Sequence, residues 1–194
     1  MLLFLAAMAT ARSFGSARRG YTLVEMMVVV IIAGVLVTLA VIGVRKYIFT
    51  AKTAEAIHMI ETINSTKKSY REETGSYLTT SSNINNYYPQ TDLTPNKTKW
   101  AWANPAHTDY AKWRLLAVSA NEPVQFGYVA VAGLQTDAIP APGTAANFSS
   151  VAPTGPWVLI KAAGDQNDNG IYSYFVTVRG DGVSSAIHIE NESE

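Results

Sequence analysis

The chain has 194 residues, with 15 basic and 15 acidic side chains and therefore no formal net charge. This length favours one folded domain with appendages, and the balanced charge argues against a surface that coats nucleic acid. Cysteine is absent from the sequence, which excludes disulfide frameworks, thiolate metal sites and cysteine nucleophiles, so the fold must be held by packing or by packing with an ion.

The first twenty residues combine an apolar stretch with a basic cluster. The stretch LLFLAAMA, residues 2–9, lies ahead of Arg18, Arg19 and Gly20. A secretory signal peptide has the opposite order, and a stretch this short cannot span a bilayer. One explanation is that translation starts at Met8 instead of Met1. N-terminal sequencing of the unprocessed precursor would distinguish the two starts.

A long apolar run follows. The nineteen residues from Met26 to Val44 carry no formal charge, and as a helix they reach nearly the ~30 Å of a bilayer core. A buried core helix is the alternative, but a helix that is apolar on every face has few partners in so small a protein. We therefore predict one transmembrane helix over about residues 21–44. The basic residues before it favour a cytoplasmic N-terminus, although Arg45 and Lys46 on the far side weaken that bias.

One carboxylate, Glu25, stands at the start of the apolar run. A carboxylate costs about 2.5–3.5 kcal/mol at the centre of a membrane helix and less near its end. Such a group requires a partner. The positive N-terminus of the helix is one candidate, worth about 0.3–1 kcal/mol. Since that would hold for any single-pass protein, the neighbouring residues must decide its role.

Those neighbours form a specific pattern. The string RRG-YTLVEMMVVVIIAGVLVTLAVIG, residues 18–43, closely resembles the class III signal of type IV prepilins and type II secretion pseudopilins. The resemblance implies that a prepilin peptidase cuts after Gly20 and methylates the new N-terminus, Tyr21. It also implies that Glu25, the fifth residue of the mature chain, pairs with the terminal amine of a neighbouring subunit. The pattern departs from many relatives at Ile42, where they carry proline.

The resemblance implies a structural subunit, a major or minor pilin of a type IV pilus-like filament, and not an enzyme. Its partners would be the prepilin peptidase, other pilin subunits, and an inner-membrane assembly platform with its ATPase. The subunit would begin in the bacterial inner membrane with a periplasmic head and then enter a pilus or pseudopilus, at the cell surface in the case of a pilus. Nothing in the composition indicates nucleic-acid binding.

Three other functions stay open. One is a pseudopilin of a type II secretion system, and another is a membrane-tethered periplasmic module for adhesion or DNA uptake. A signal-anchored periplasmic enzyme is the third. The sequence contains no H-E-x-x-H or G-x-S-x-G motif and no phosphate loop, so no recognised catalytic pattern favours that enzyme.

The helix is predicted to continue beyond the membrane. No proline occurs between Tyr21 and Pro89, and isoleucines recur at roughly helical spacing before Gly75, a natural stop. One helix from about Thr22 to Glu73 would be about 78 Å long. The resulting organisation is a removed leader over 1–20, a long helix over 21–74 and a globular head over 75–194.

The head is predicted to contain an antiparallel sheet. Period-two patterns after Pro123 indicate strands at Val124–Ala132, Trp157–Ala163, Ile171–Val178 and Ala186–Glu190. Short connections favour an antiparallel meander, while residues 137–156 form a long surface loop and residues 110–118 a short helix. The connection RGD at 179–181 is interpreted as a turn. One face of the sheet would pack on the long helix, which gives an α+β, pilin-like fold.

The connection GDQNDNG has two interpretations. Asp165, Asn167 and Asn169 occupy alternate positions before Gly170, as in the first half of a calcium loop. The bidentate glutamate that completes such a loop is replaced by Val176. The segment also resembles an Asp/Gly-rich loop of several pilin-like proteins. Calcium binding by these three residues is one prediction, and an ordinary hairpin turn, which favours the same residue types, is the other.

Overall fold

The structure is a computed structural model that describes residues 20–91 and 95–192. The chain divides into two units at the boundary between Gly43 and Val44. Helix α1 contributes residues to both units, and all the strands belong to the second. Residues 1–19 of the proposed leader, including the choice between Met1 and Met8, lie outside the described residues.

Helix α1 runs from Leu23 to Thr74 and contains 52 residues. Among the residues that the structure describes, it is the one helix long and apolar enough to cross a membrane, and none of its most apolar stretch is buried. The helix ends at Gly75, whose N–H donates to the Arg71 carbonyl at 2.7 Å. The φ of Gly75 is +84°, a left-handed conformation that glycine adopts without a Cβ clash and that commonly ends helices.

The second unit contains a five-stranded antiparallel sheet and a short helix, α2, at Tyr110–Arg114. The strands are β1 (Gly127–Gly133), β2 (Trp157–Gly164), β3 (Ser173–Gly180), β4 (Val183–Ser184) and β5 (His188–Glu190). The order is β1-β2-β3, and β4 and β5 both pair with β3. Gly133 pairs with Trp157, which in turn pairs with Gly180. A long helix followed by an antiparallel sheet confirms the predicted α+β class.

The boundaries differ from the prediction where local conformation overrides the sequence pattern. Strand β1 begins at Gly127, because Val124 instead forms an isolated bridge with Trp100. Helix α2 has only five residues, since Ala117 adopts a left-handed φ of +51° that a continuing helix cannot contain. Strand β4 was not predicted, because two residues are too few to show a period.

The core lies on both faces of β2, whose eight residues are all buried. Val158, Ile160 and Ala162 belong to one apolar cluster with Ile60 of α1. On the alternate positions, Trp157 and Leu159 cluster with Phe148, from the segment between β1 and β2, as the period of two requires. The segment predicted as a surface loop therefore also covers the second face of the sheet.

Two ion pairs connect α1 to the end of β3 and to the turn that follows it. Arg179 Nη2 lies 3.1 Å from Glu61 Oε1, and Arg71 pairs with Asp181. Both charged residues of the RGD tripeptide thus bind the chain's own helix. The predicted turn begins only at Asp181, because Arg179 and Gly180 are the last two residues of β3.

Two lysines, one on α1 and one on β2, are buried in the second unit without an acidic partner among the described residues. Among the described residues, none of the ion pairs includes Lys67 or Lys161. Lys67 Nζ donates to the Leu78 carbonyl at 2.5 Å. Lys161 Nζ donates to the Pro142 carbonyl at 2.7 Å and lies between two tyrosine rings. Burial lowers the pKa of Lys67 to about 7 and that of Lys161 to about 8.

These pKa values predict a head that becomes more stable as the solution becomes moderately alkaline. An unfolded lysine has a pKa of about 10.4, so between pH ~7 and ~10 the unfolded state binds more protons and stability rises with pH. Burial also raises the pKa of Tyr128, and this contribution is lost only above pH ~10. We expect the free energy of unfolding of a chain beginning at Val44 to rise by about 2–5 kcal/mol between pH 6.5 and 9.5.

Urea denaturation at successive pH values measures this rise. The Lys67→Met and Lys161→Met variants should each show a smaller slope, because each loses one titrating group. A flat or falling wild-type midpoint over this range would contradict the assignment of the buried lysines.

Candidate functional site: the N-terminal signal segment

The start of α1 is closed by a reciprocal pair of hydrogen bonds between Thr22 and Glu25. The Glu25 N–H donates to Thr22 Oγ1 at 3.2 Å, and the Thr22 N–H donates to Glu25 Oε2 at 3.4 Å. This is a capping box, which satisfies two backbone donors that the first turn of a helix leaves without partners. The Glu25 carboxylate therefore lies where the helix dipole favours negative charge.

Sequence reasoning singled out Glu25 but missed the role of Thr22. The signal was available, because T-x-x-E before an apolar run is the capping-box pattern. A capping interaction of this kind stabilises a helix by about 1 kcal/mol. Thr22 thus donates a hydrogen bond to the carboxylate of the residue predicted to act in assembly.

The predicted cleavage position precedes the helix. Gly20 and Tyr21 have no regular secondary structure and are exposed, and 74% of the Tyr21 surface is accessible. A Cβ added at Gly20 would meet no atom within 4 Å. Packing among the described residues therefore gives no reason for glycine at this position.

A comparison with protein families bears on this segment. The family model described as a prokaryotic N-terminal methylation motif matches residues 15–41, a range that includes Gly20, Tyr21 and Glu25. The chain carries the type IV pilin and pseudopilin signal. No curated protein and no solved structure gave a significant match to the chain.

The pilin signal overlaps the part of α1 whose apolar side chains are exposed. Its large apolar side chains from Leu23 to Val44 are exposed, which is consistent with single-pass anchoring in a membrane. At Ile42, where many relatives carry proline, α1 continues without interruption and also passes through Gly43. With isoleucine in place of proline at position 42, this chain has a regular helix there.

In the loop between β2 and β3, the side chains of the predicted calcium ligands accept hydrogen bonds from the loop's own backbone. Asp165 is 3% exposed, and its carboxylate accepts N–H groups from Asp168 at 2.6 Å, Asn169 at 3.2 Å and Gly170 at 2.8 Å. The Asn167 and Asn169 side-chain oxygens accept N–H groups two residues further along. These contacts are those of a hairpin turn organised by Asx residues.

This arrangement bears on the calcium prediction without testing it. In residues 20–91 and 95–192, no group of three or more histidine, cysteine, aspartate or glutamate side chains is placed to hold a metal ion. Bound calcium would compete with backbone N–H groups for the Asp165 carboxylate. Calcium binding by Asp165, Asn167 and Asn169 stays a prediction.

Replacing Asp165 separates the two interpretations of the loop. We expect Asp165→Ala to lower the free energy of unfolding by about 1–3 kcal/mol even in EDTA, because three backbone N–H groups of the loop lose their charged acceptor. The matched control Asp168→Asn removes an exposed charge of the same loop and keeps a residue type that tolerates the left-handed φ of +64° at this position, so it should cost less. A wild-type urea midpoint that rises with millimolar calcium, and does not rise in Asp165→Ala, would establish calcium binding. Equal stability of Asp165→Ala and wild type in EDTA would contradict the turn.

Proposed function

We propose that this chain is a structural subunit, a major or minor pilin, of a type IV pilus-like filament. The observation that carries this proposal is the capped carboxylate of Glu25 at the start of an uncovered apolar helix, within the matched signal. In this function the chain does no catalysis. Its leader is removed by prepilin peptidase, and the mature subunit is held in the inner membrane until assembly.

Because the apolar side chains in the first part of α1 are exposed, the subunit needs an apolar environment both before and after assembly. Its apolar side chains would cost about 25 cal/mol for each Å² exposed to water. A bilayer removes that surface from water before assembly, and packing against like helices removes it afterwards. Movement from the first environment to the second is energetically uphill at the extraction step, which supports an assembly platform driven by an ATPase.

Glu25 is proposed to set the register between subunits. Cleavage after Gly20 would create an amine on Tyr21, and both this amine and the carboxylate would lie among apolar helices. A charge in such surroundings is stable only with a partner, and removal of one partner leaves the other stranded. Among the described residues, the carboxylate accepts a hydrogen bond from the neutral Thr22 N–H and takes part in none of the ion pairs, so the amine of an adjoining copy would supply an opposite charge.

Two alternatives share this chemistry at the N-terminus. A type II secretion pseudopilin would use the same signal and the same pairing in a shorter fibre. A membrane-tethered module for adhesion or DNA uptake would remain in the membrane. Adhesion through RGD is disfavoured, because Arg179 and Asp181 are already paired with α1.

Shear fractionation of cells tests the proposal. A pilus subunit should leave the cells with the sheared surface fibres, in its mature form without residues 1–20. Retention of all the mature protein in the membrane fraction would instead indicate a tethered module or a pseudopilin. Loss of secretion, with no loss of surface fibres, in a strain lacking the protein would then identify the pseudopilin.

A further inference from the structure

A basic groove lies beside α1 immediately after its apolar run. The groove has a volume of about 420 Å³ and is lined by Arg45, Lys46, Phe49, Thr50, Thr53 and Glu192. Its second wall is the end of the described chain, where the Thr53 hydroxyl donates to the Glu192 carbonyl at 3.4 Å. The groove is therefore built from the helix and from the segment that follows β5.

The cations of this groove have no partner among the ion pairs in the described part of the chain. Those pairs involve Arg71, Lys97, Lys112 and Arg179, and none involves Arg45 or Lys46. Both residues are exposed. Glu192 contributes one carboxylate to the lining, so two basic groups face one acidic group. Among the residues that the structure describes, the lining therefore carries a net positive charge, which suits an anionic ligand.

The position of the basic residues in the sequence indicates which kind of anion the groove would bind. Arg45 and Lys46 directly follow Val44, the last residue of the apolar run. Long basic side chains at the end of a membrane helix extend towards the headgroup region, and aromatic residues such as Phe49 are compatible with the border of that region. A guanidinium also matches the geometry of a phosphate group, to which it can donate two parallel hydrogen bonds.

We propose that this groove binds the phosphate headgroup of an anionic membrane phospholipid. The site rests on the membrane anchoring in the proposed function, but not on the filament. Arg45 and Lys46 would contact the phosphate, Phe49, about one turn further from the apolar run, would flank the headgroup, and Glu192 would weaken binding by repelling the phosphate. A bound lipid would hold the stored subunit at a fixed depth in the bilayer.

Native mass spectrometry of the mature chain, released from bilayer discs containing equal phosphatidylglycerol and phosphatidylcholine, tests this site. One basic residue beside an anionic headgroup gives about a fivefold gain in binding. We expect wild type to retain phosphatidylglycerol over phosphatidylcholine by at least about fivefold. The preference should fall close to one in R45Q/K46Q and should increase in E192Q, which removes the repelling carboxylate.

The matched control is K68Q/R114Q, which also removes one lysine and one arginine, both exposed in the second unit. It should keep the wild-type preference. Equal retention of the two lipids by wild type, or an unchanged preference in R45Q/K46Q, would overturn the site. If the wild-type chain failed to enter the discs, the membrane anchoring and the proposed function would fail with it. Insertion without lipid preference would overturn the groove alone.

Discussion

Gly20→Val is expected to leave nearly all of the protein at precursor length. The resemblance to prepilins assigns cleavage to the bond after Gly20, and a glycine there would be required by the peptidase that binds it. A Cβ at this position meets no atom within 4 Å, so the substitution should not disturb the folded chain. Intact mass of the purified protein distinguishes the precursor from a mature chain that begins at Tyr21.

The matched control for this variant is Gly34→Val. Gly34 lies in the same signal, and a Cβ there also meets nothing within 4 Å. We expect normal cleavage of Gly34→Val, because the residue lies far along α1 from the cleaved bond. Maturation of Gly20→Val at the wild-type level would reject the assigned site, whereas failure of both variants would point to a general loss of membrane insertion.

Glu25→Gln is expected to mature normally and to enter filaments more than about tenfold less than wild type. Glutamine can replace glutamate in a capping box, so the hydrogen bonds with Thr22 should persist in this variant. What it loses is the negative charge, and a poorly solvated amine without its partner costs about 3–5 kcal/mol. Quantitative immunoblots of sheared fibres and of whole cells give the incorporated fraction.

Glu25→Ala and Thr22→Val complete this comparison. Glu25→Ala loses both charge and cap, and its incorporation should be at least as poor as that of Glu25→Gln. Thr22→Val loses the hydroxyl acceptor but keeps the carboxylate, so it should retain most of the incorporation. Wild-type incorporation of Glu25→Gln would show that the negative charge is not needed and would overturn the proposed charge pairing.

The local features of the fold could be predicted from the sequence. An apolar run without charge and the glycine at position 75 defined α1 to within one residue at each end. Strands β1, β2 and β3 followed from their sequence patterns, because each has one or both faces buried. The residues of the signal are contiguous, so their pattern needed no knowledge of tertiary structure.

Features that depend on distant contacts could not be predicted. Lys161 is a charged residue in the middle of an apolar strand, and only the fold shows that the Pro142 carbonyl receives its ammonium. The role of Phe148 in covering the second face of the sheet is equally invisible in a segment rich in proline and alanine. The groove at Arg45 is similar, since Glu192 is remote in sequence.

The contacts between α1 and the turn at residues 179–181 have a mechanical consequence. A pull applied along α1 would reach the sheet through the Ile60 cluster and through the ion pairs at Glu61 and Arg71. Exposed or partly exposed ion pairs resist little and are screened by salt, whereas apolar packing is not. The helix should therefore stay attached to the sheet under load almost as firmly at high salt as in dilute buffer, because apolar packing makes the larger contribution.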